Sequence, residues 1–139
     1  MRSYSPQTKK IHTTLADLVM KEAGIILITF IKDGELNETC AIEILSGILE
    51  LSGGKPHCLL YDFNNKSVLL SNIAKKMASG RGPEESKLLA RAFLTSSLQN
   101  DLEAGHFIHH SKPASETRIF RSSPEALNWL RTWLNKAGL

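Results

Sequence analysis

Between Leu15 and Lys32 the chain carries two runs of β-favouring residues, Leu15–Lys21 and Ile25–Lys32, separated only by Glu22-Ala23-Gly24. So short a break predicts a hairpin, with Gly24 supplying the positive φ that a tight loop needs. In the second run Ile26, Ile28 and Phe30 alternate with Ile25, Leu27, Thr29 and Ile31. Both faces are therefore apolar, which predicts a strand covered on both sides. The period then changes. Ala41, Ile44, Leu45 and Ile48 fall at i, i+3, i+4 and i+7, while Glu43, Ser46 and Glu50 hold the opposite side. This predicts a helix with Asn37 as its N-cap, closed by Gly53-Gly54 and Pro56. The apolar run HCLLYDF follows and reads as an interior strand, reached by a right-handed crossover.

The second half repeats the alternation. SNIAKKMASG predicts a two-turn helix with Ile73, Ala74 and Met77 inward, and Gly82-Pro83 marks a break before PEESKLLA. RAFLTSS reads as a strand and LQNDLEAGHFIHH as a helix with Leu98, Leu102, Gly105 and Phe107 or Ile108 inward; Gly105 is expected to mark close packing on the sheet. TRIFRS is a last short strand. The final helix is capped in this reading by Ser123, with Pro124 at its first position and Glu125 in its first turn. Ala126, Leu127, Trp129, Leu130, Trp133, Leu134 and Ala137 share one arc of it. The order β-β-α-β-α-β-α-β-α predicts an α/β fold: a mixed, mostly parallel sheet of four to five strands, with an N-terminal β-hairpin and about four helices. Residues 1–12 are polar and are expected to form a flexible arm, leaving 13–139 as one domain.

Composition narrows the function classes. Seventeen basic against fourteen acidic residues leave a net charge of +3, and acidic groups punctuate the basic ones throughout. A nucleic-acid binder concentrates its basic residues on one face, so no nucleic acid is expected as partner. Cys40 and Cys58 form no CxxC pair and sit in apolar patterns, as buried free thiols do. The longest apolar run, Gly24 to Ile31, is too short to span a bilayer, and the N-terminus lacks the apolar core of a signal peptide; a cytoplasmic location is the default expectation.

The phrases GGKPHCLLYDF, RAFLTSS and TRIFRSSPEALNWL, within that element order, resemble the STAS domain, the sulfate-transporter and anti-sigma-factor-antagonist fold. More narrowly they resemble stand-alone bacterial SpoIIAA-like or STAS/SEC14-type proteins, over about Leu15 to Leu134. In anti-sigma antagonists a serine in a D-S-[ST]-G motif, at the helix start after the third strand, is phosphorylated. A helix N-terminus suits a phosphate, because free N–H groups and the dipole face it. The matching region here is DFNNKSVLLSNIAKK, where Asp62 ends the strand and Ser71 begins the helix, without the motif itself.

The candidate residues follow from that junction. Ser71 is a phospho-acceptor or a plain helix cap, and Ser67 is the second candidate. Asp62, Asn64 and Asn65 are a candidate docking or ligand surface, since ligand sites in open α/β sheets lie beyond the carboxyl ends of strands. His106, His109 and His110 have the i, i+3, i+4 spacing of a helical metal site but lack HExxH, so no metal is expected. SGRGPEES lacks the order of a phosphate-binding loop, and no nucleophile elbow occurs. The expectation is a non-enzymatic regulatory or interaction domain without a cofactor. It would dock through Asp62 to Ser71 on a kinase-like or anti-sigma-type regulator, and a homodimer is compatible with this reading. The alternative is a small-molecule or lipid-binding module of STAS/SEC14 type, using the apolar groups Met77, Leu88, Leu89 and Phe93.

Overall fold

A computed structural model describes residues 9–72, 87–111 and 115–139, without the side chains of residues 110 and 111. The elements are β1 (Lys10–His12), β2 (Ala16–Glu22), β3 (Ile25–Phe30), β4 (Gly34–Leu36), α1 (Glu38–Ser52), β5 (His57–Asp62), β6 (Val68–Leu70), β7 (Leu88–Leu94), α2 (Leu98–Ser111), β8 (Glu116–Phe120) and α3 (Ser123–Lys136). The helix expected around Ile73–Met77 lies outside the described residues.

Six strands form one sheet in the order β1-β2-β3-β5-β7-β8. β1, β2 and β3 are antiparallel neighbours, and β3, β5, β7 and β8 run parallel. The mixed, mostly parallel sheet with its opening hairpin is as the sequence pattern predicts, with one strand more than expected. That strand is β1: Lys10–His12, assigned to the arm, pairs with β2 through Ile11 and Leu18. A second correction is the two-stranded sheet in which β4 and β6 pair in parallel. Both are three-residue strands, too short to show a period in sequence.

β5 lies between two parallel neighbours, with every residue buried except Asp62. Its alternate side chains serve two cores. Leu59 and Tyr61 join Ile26, Ile28, Phe30, Ile44, Ile48, Phe93 and Phe107 beneath α1 and α2. Cys58 and Leu60 join Ile25, Ala90, Ala92, Leu130 and Leu134 beneath α3. The first core is aromatic: Phe30, Phe63, Tyr61, Phe93 and Phe107 form a chain of ring contacts with centroids 5.3–6.4 Å apart. In the second, Ala90 and Ala92 let α3 sit close to the sheet, where the Cys58 thiol donates to the carbonyl of Leu130 at 3.7 Å. Burial pushes that thiol up to about 12, so it is protonated and inert at neutral pH.

The caps differ in detail from expectation. Asn37 caps α1, its side chain accepting from the Cys40 N–H at 2.9 Å, and Gly53 closes the helix at φ 62°. For α3 the cap is Ser122 rather than Ser123: its Oγ accepts the Glu125 N–H at 3.4 Å, and Pro124 moves to the second helical position. α2 is turned relative to its apolar pattern. Leu98 and Leu102 are exposed, while Asn100, Ala104 and Phe107 are buried. Ala104 and Phe107 of this face enter the core, and Asn100 beside them donates its amide to the carbonyl of Lys66 at 2.8 Å. Gly105 faces open space, not the sheet.

The hairpin tip docks on the last turn of α3. Gly24 has φ 84°, which the turn reserves for glycine, and a Cβ there would stand 2.8 Å from Leu134 Cδ2 and push that side chain aside. Beside it, Arg131 grips Glu22 with both arms, Nε to Oε1 at 2.7 Å and Nη2 to Oε2 at 2.8 Å. This bond, foremost, lowers the Glu22 carboxyl below its ordinary range.

Two outcomes are expected. Leu130, fully buried under β5 and β7, should cost about 2–5 kcal/mol when changed to Ala, measured by denaturant unfolding; a loss under about half a kcal/mol would mean that α3 is not a core layer. For Glu22, the unfolded chain binds its proton more readily than the folded one, so its stabilisation is present above 4.5 and lost as pH falls through the lowered folded value. The stability difference between wild type and Glu22→Gln should therefore narrow on acidification, and a difference constant across that range would refute the assignment.

Candidate functional site

At the carboxyl ends of β5, β7 and β8 the chain opens into a pocket of about 220 Å3 lined by Asp62, Asn64, Asn65, Leu94, Thr95, Ser96, Arg121 and Ser123. Parallel pairing creates it. Asp62, Leu94 and Phe120 stand in register across the three strands, so the residues after each emerge together.

The β5 side is a tight turn. Asp62 Oδ1 accepts the Asn64 N–H at 2.8 Å, and Phe63 O accepts the Lys66 N–H at 2.8 Å. Asn64 and Asn65 at its centre have φ 53° and 59°, a conformation Asn tolerates better than other side-chain-bearing residues. Asn64 donates its amide to the carbonyl of Phe30 at 3.1 Å, and Asn65 Oδ1 accepts from the Ser96 hydroxyl. Opposite, Asp101 of α2 accepts from the Thr95 hydroxyl with one oxygen and pairs with Arg121 through the other. The guanidinium of Arg121 stays largely exposed at the rim, with Ser123 of the first turn of α3 beside it. The pocket thus combines a carboxylate, two strained asparagines, hydroxyls and one cation. It is suited to hydrogen bonding a polar surface.

Asp62, Asn64 and Asn65, singled out from sequence, come together here. Ser67 and Ser71 do not line the pocket. Ser67 is held in another direction: its N–H donates to Asp33 Oδ1 at 2.7 Å and its hydroxyl to Gln99 Oε1 at 3.3 Å. Ser71 donates its N–H to Leu36 O at 3.2 Å, extending the β4–β6 pairing. The stretch between Asp62 and Ser71 thus contains β6, whose Val68 is fully buried. The helix that Ser71 was expected to cap lies outside the described residues. His106 and His109 lie exposed on α2, and among the described residues no group of three or more His, Cys, Asp or Glu side chains is placed to hold a metal. Of the apolar groups proposed for a ligand, Leu88 and Phe93 are spent in the core, Leu89 packs against the α3 side, and Met77 lies outside the described residues.

Thr95, Ser96, Asp101, Arg121 and Ser123 are the residues that sequence reading missed. The rule that sites lie beyond strand ends, carried from β5 to RAFLTSS and TRIFRSS, reaches Thr95, Ser96, Arg121 and Ser123. Arg91 had no such signal. It is buried in β7, with its guanidinium 5.1 Å over the Phe107 ring and Nη1 3.5 Å from Thr117 Oγ1.

The strained turn carries a prediction. Asn65→Gly and Asn65→Ala both lose the bond to Ser96, but only Ala is forced into left-handed backbone. The Ala variant should be the less stable by about 1–2 kcal/mol in denaturant melts. Equal stabilities would mean that the turn relaxes away from φ 59°.

Comparison with known proteins gives a family and a fold. The family described as "Domain of unknown function (DUF7793)" matches residues 19–134. Among solved structures, an uncharacterized protein of the DUF3478 family from Shewanella loihica PV-4, with a SpoIIAA-like fold, superposes with a TM-score of 0.51 at 14% identity, covering 94% of this chain and 99% of that one. No curated protein matches the chain. The likeness shows a SpoIIAA-like fold, as the sequence phrases implied. No helix among the described residues is long and apolar enough to cross a membrane.

Proposed function

We propose that this chain, which belongs to the DUF7793 family and has a SpoIIAA-like fold, is an interaction domain that docks on another protein through the carboxyl edge of its parallel strands. The observation that carries this reading is the convergence of Asp62, Asn64, Asn65, Thr95, Ser96, Arg121 and Ser123 around one open pocket. Their donors and acceptors are held by the turn and by Asp101, so little ordering is left to be done on binding. The chain works by binding and carries out no chemistry of its own. The partner chemistry that fits is a polar loop offering both an acceptor to Arg121 and donors to Asp62, as a kinase-like or anti-sigma-type regulator would present.

The binding face differs from the one expected from sequence: it is centred on Asp62–Asn65 and the ends of β7 and β8, and does not extend to Ser71. Phosphorylation of Ser67 would act on it only indirectly, by breaking the contact to Gln99 and α2. A small ligand is the second reading, favoured by the pocket's volume; its polar lining fits a small polar molecule rather than a lipid tail.

Ser96→Glu places a carboxylate in the pocket mouth opposite Asp62. Affinity recovery of partners from the source cell should fall at least tenfold for this variant, with far-UV circular dichroism showing it folded despite the lost bond to Asn65. Leu49→Glu, on the exposed side of α1, should recover them as wild type does. Equal recovery by all three proteins would refute the docking face. A retained small molecule in native mass spectrometry, lost in Ser96→Glu, would replace it with the second reading.

A further inference from the structure

We propose that the chain forms a two-fold homodimer by antiparallel pairing of β8 with β8 of a second copy. The inference is independent of the pocket and rests on the sheet's open edge.

β8 ends the order β1-β2-β3-β5-β7-β8, and no described strand pairs with its outer side. An unpaired edge is a template for another strand. Which groups it offers follows from one bond. The carbonyl of Phe120 accepts the Thr95 N–H at 2.9 Å, so Phe120 turns its main-chain groups inward toward β7. Strand alternation then turns those of Thr117 and Ile119 outward.

The side chains select the register. A two-fold axis perpendicular to the sheet keeps each face on its own side, so it must pass through a residue that faces its own copy. Centred on Glu116, the pairing sets carboxylate against carboxylate. Centred on Arg118, it sets guanidinium against guanidinium. Centred on Thr117, it sets Glu116 opposite Arg118 of the second copy, and Arg118 opposite Glu116 of the second copy. That register is also the one for which the outward Thr117 groups make a hydrogen-bonded pair. The flanking Glu116–Arg118 positions then become non-hydrogen-bonded pairs, where facing side chains come closest. Centring on Ile119 would satisfy the backbone equally, but it sets Arg118 opposite Phe120 of the second copy, so charge chooses Thr117 among the alignments the backbone allows.

Arg118 is already positioned. Its guanidinium lies 5.1 Å over the Trp129 ring, which fixes it on the α3 side of the sheet, the side of Phe120. Strand alternation puts Glu116 on that side too. The opposite edge shows the contrast. β1 is three residues long and carries Lys10 and His12, so self-pairing about Ile11 would set Lys10 against His12 and self-pairing about Lys10 would set two lysines together. One edge offers a copy of itself no opposite charge, and the other offers one at both flanking positions.

The test is sedimentation equilibrium of the full chain over a hundredfold concentration range. Wild type should reach the dimer mass. Glu116→Arg should be monomeric, because both facing pairs become positive, and Arg118→Glu should be monomeric with both pairs negative. Mixing these two variants should restore dimer, since each chain then faces opposite charges at both positions. Far-UV circular dichroism should show both variants folded. A wild type that stays monomeric throughout, a dimer unaffected by either substitution, or a mixture that stays monomeric would each overturn the proposal.

Discussion

A strand with no wet side is the constraint from which the architecture follows. β5 is hydrogen-bonded in parallel to β3 and β7, and His57 through Tyr61 are all buried. Its backbone is satisfied only with a neighbour on each edge, and its side chains only with a layer on each face. α1 and α2 supply one layer and α3 the other. The layers are unequal. One face of the sheet is thick with rings, while the other offers Ala90 and Ala92 as a thin seat for a single helix. Large buried aromatics contribute through area, and small residues contribute by allowing close approach.

How much of this could be read in the sequence depends on whether a residue's fate is decided nearby in the chain. The alternation of Ile25 to Ile31 and the arc from Ala126 to Leu134 each belong to one element long enough to show its period, and both were legible. Val68-Leu69-Leu70 is three residues long, and nothing local separates it from a linker; it becomes a strand because β4 lies alongside. α2 shows a local pattern overruled. Leu98 and Leu102 suggested the buried face, but Ala104 and Phe107 are the residues that enter the core, and Asn100 goes in beside them with its amide on the carbonyl of Lys66.

The site divides along the same line. Asp62, Asn64 and Asn65 follow directly on a recognisable strand, and the turn chemistry of Asp and Asn made them visible. Thr95, Ser96 and Arg121 belong beside them only because β7 and β8 run parallel to β5 in a matched register. Topology, not spacing, assembles the pocket. The carboxylate of Asp101 then orients the far wall from a fourth element by holding Thr95 and Arg121 at once.

The clasp between the hairpin and α3 has a further consequence, for the order in which the chain acquires structure. Glu22 and Arg131 are 109 positions apart, and Ile25 and Cys58 share a core with Leu130 and Leu134. The hairpin is synthesised before α3, and one face of β3 and β5 has no cover until α3 has been made. Until then that apolar face is open to water and to other chains, the exposure that makes partly made domains prone to associate.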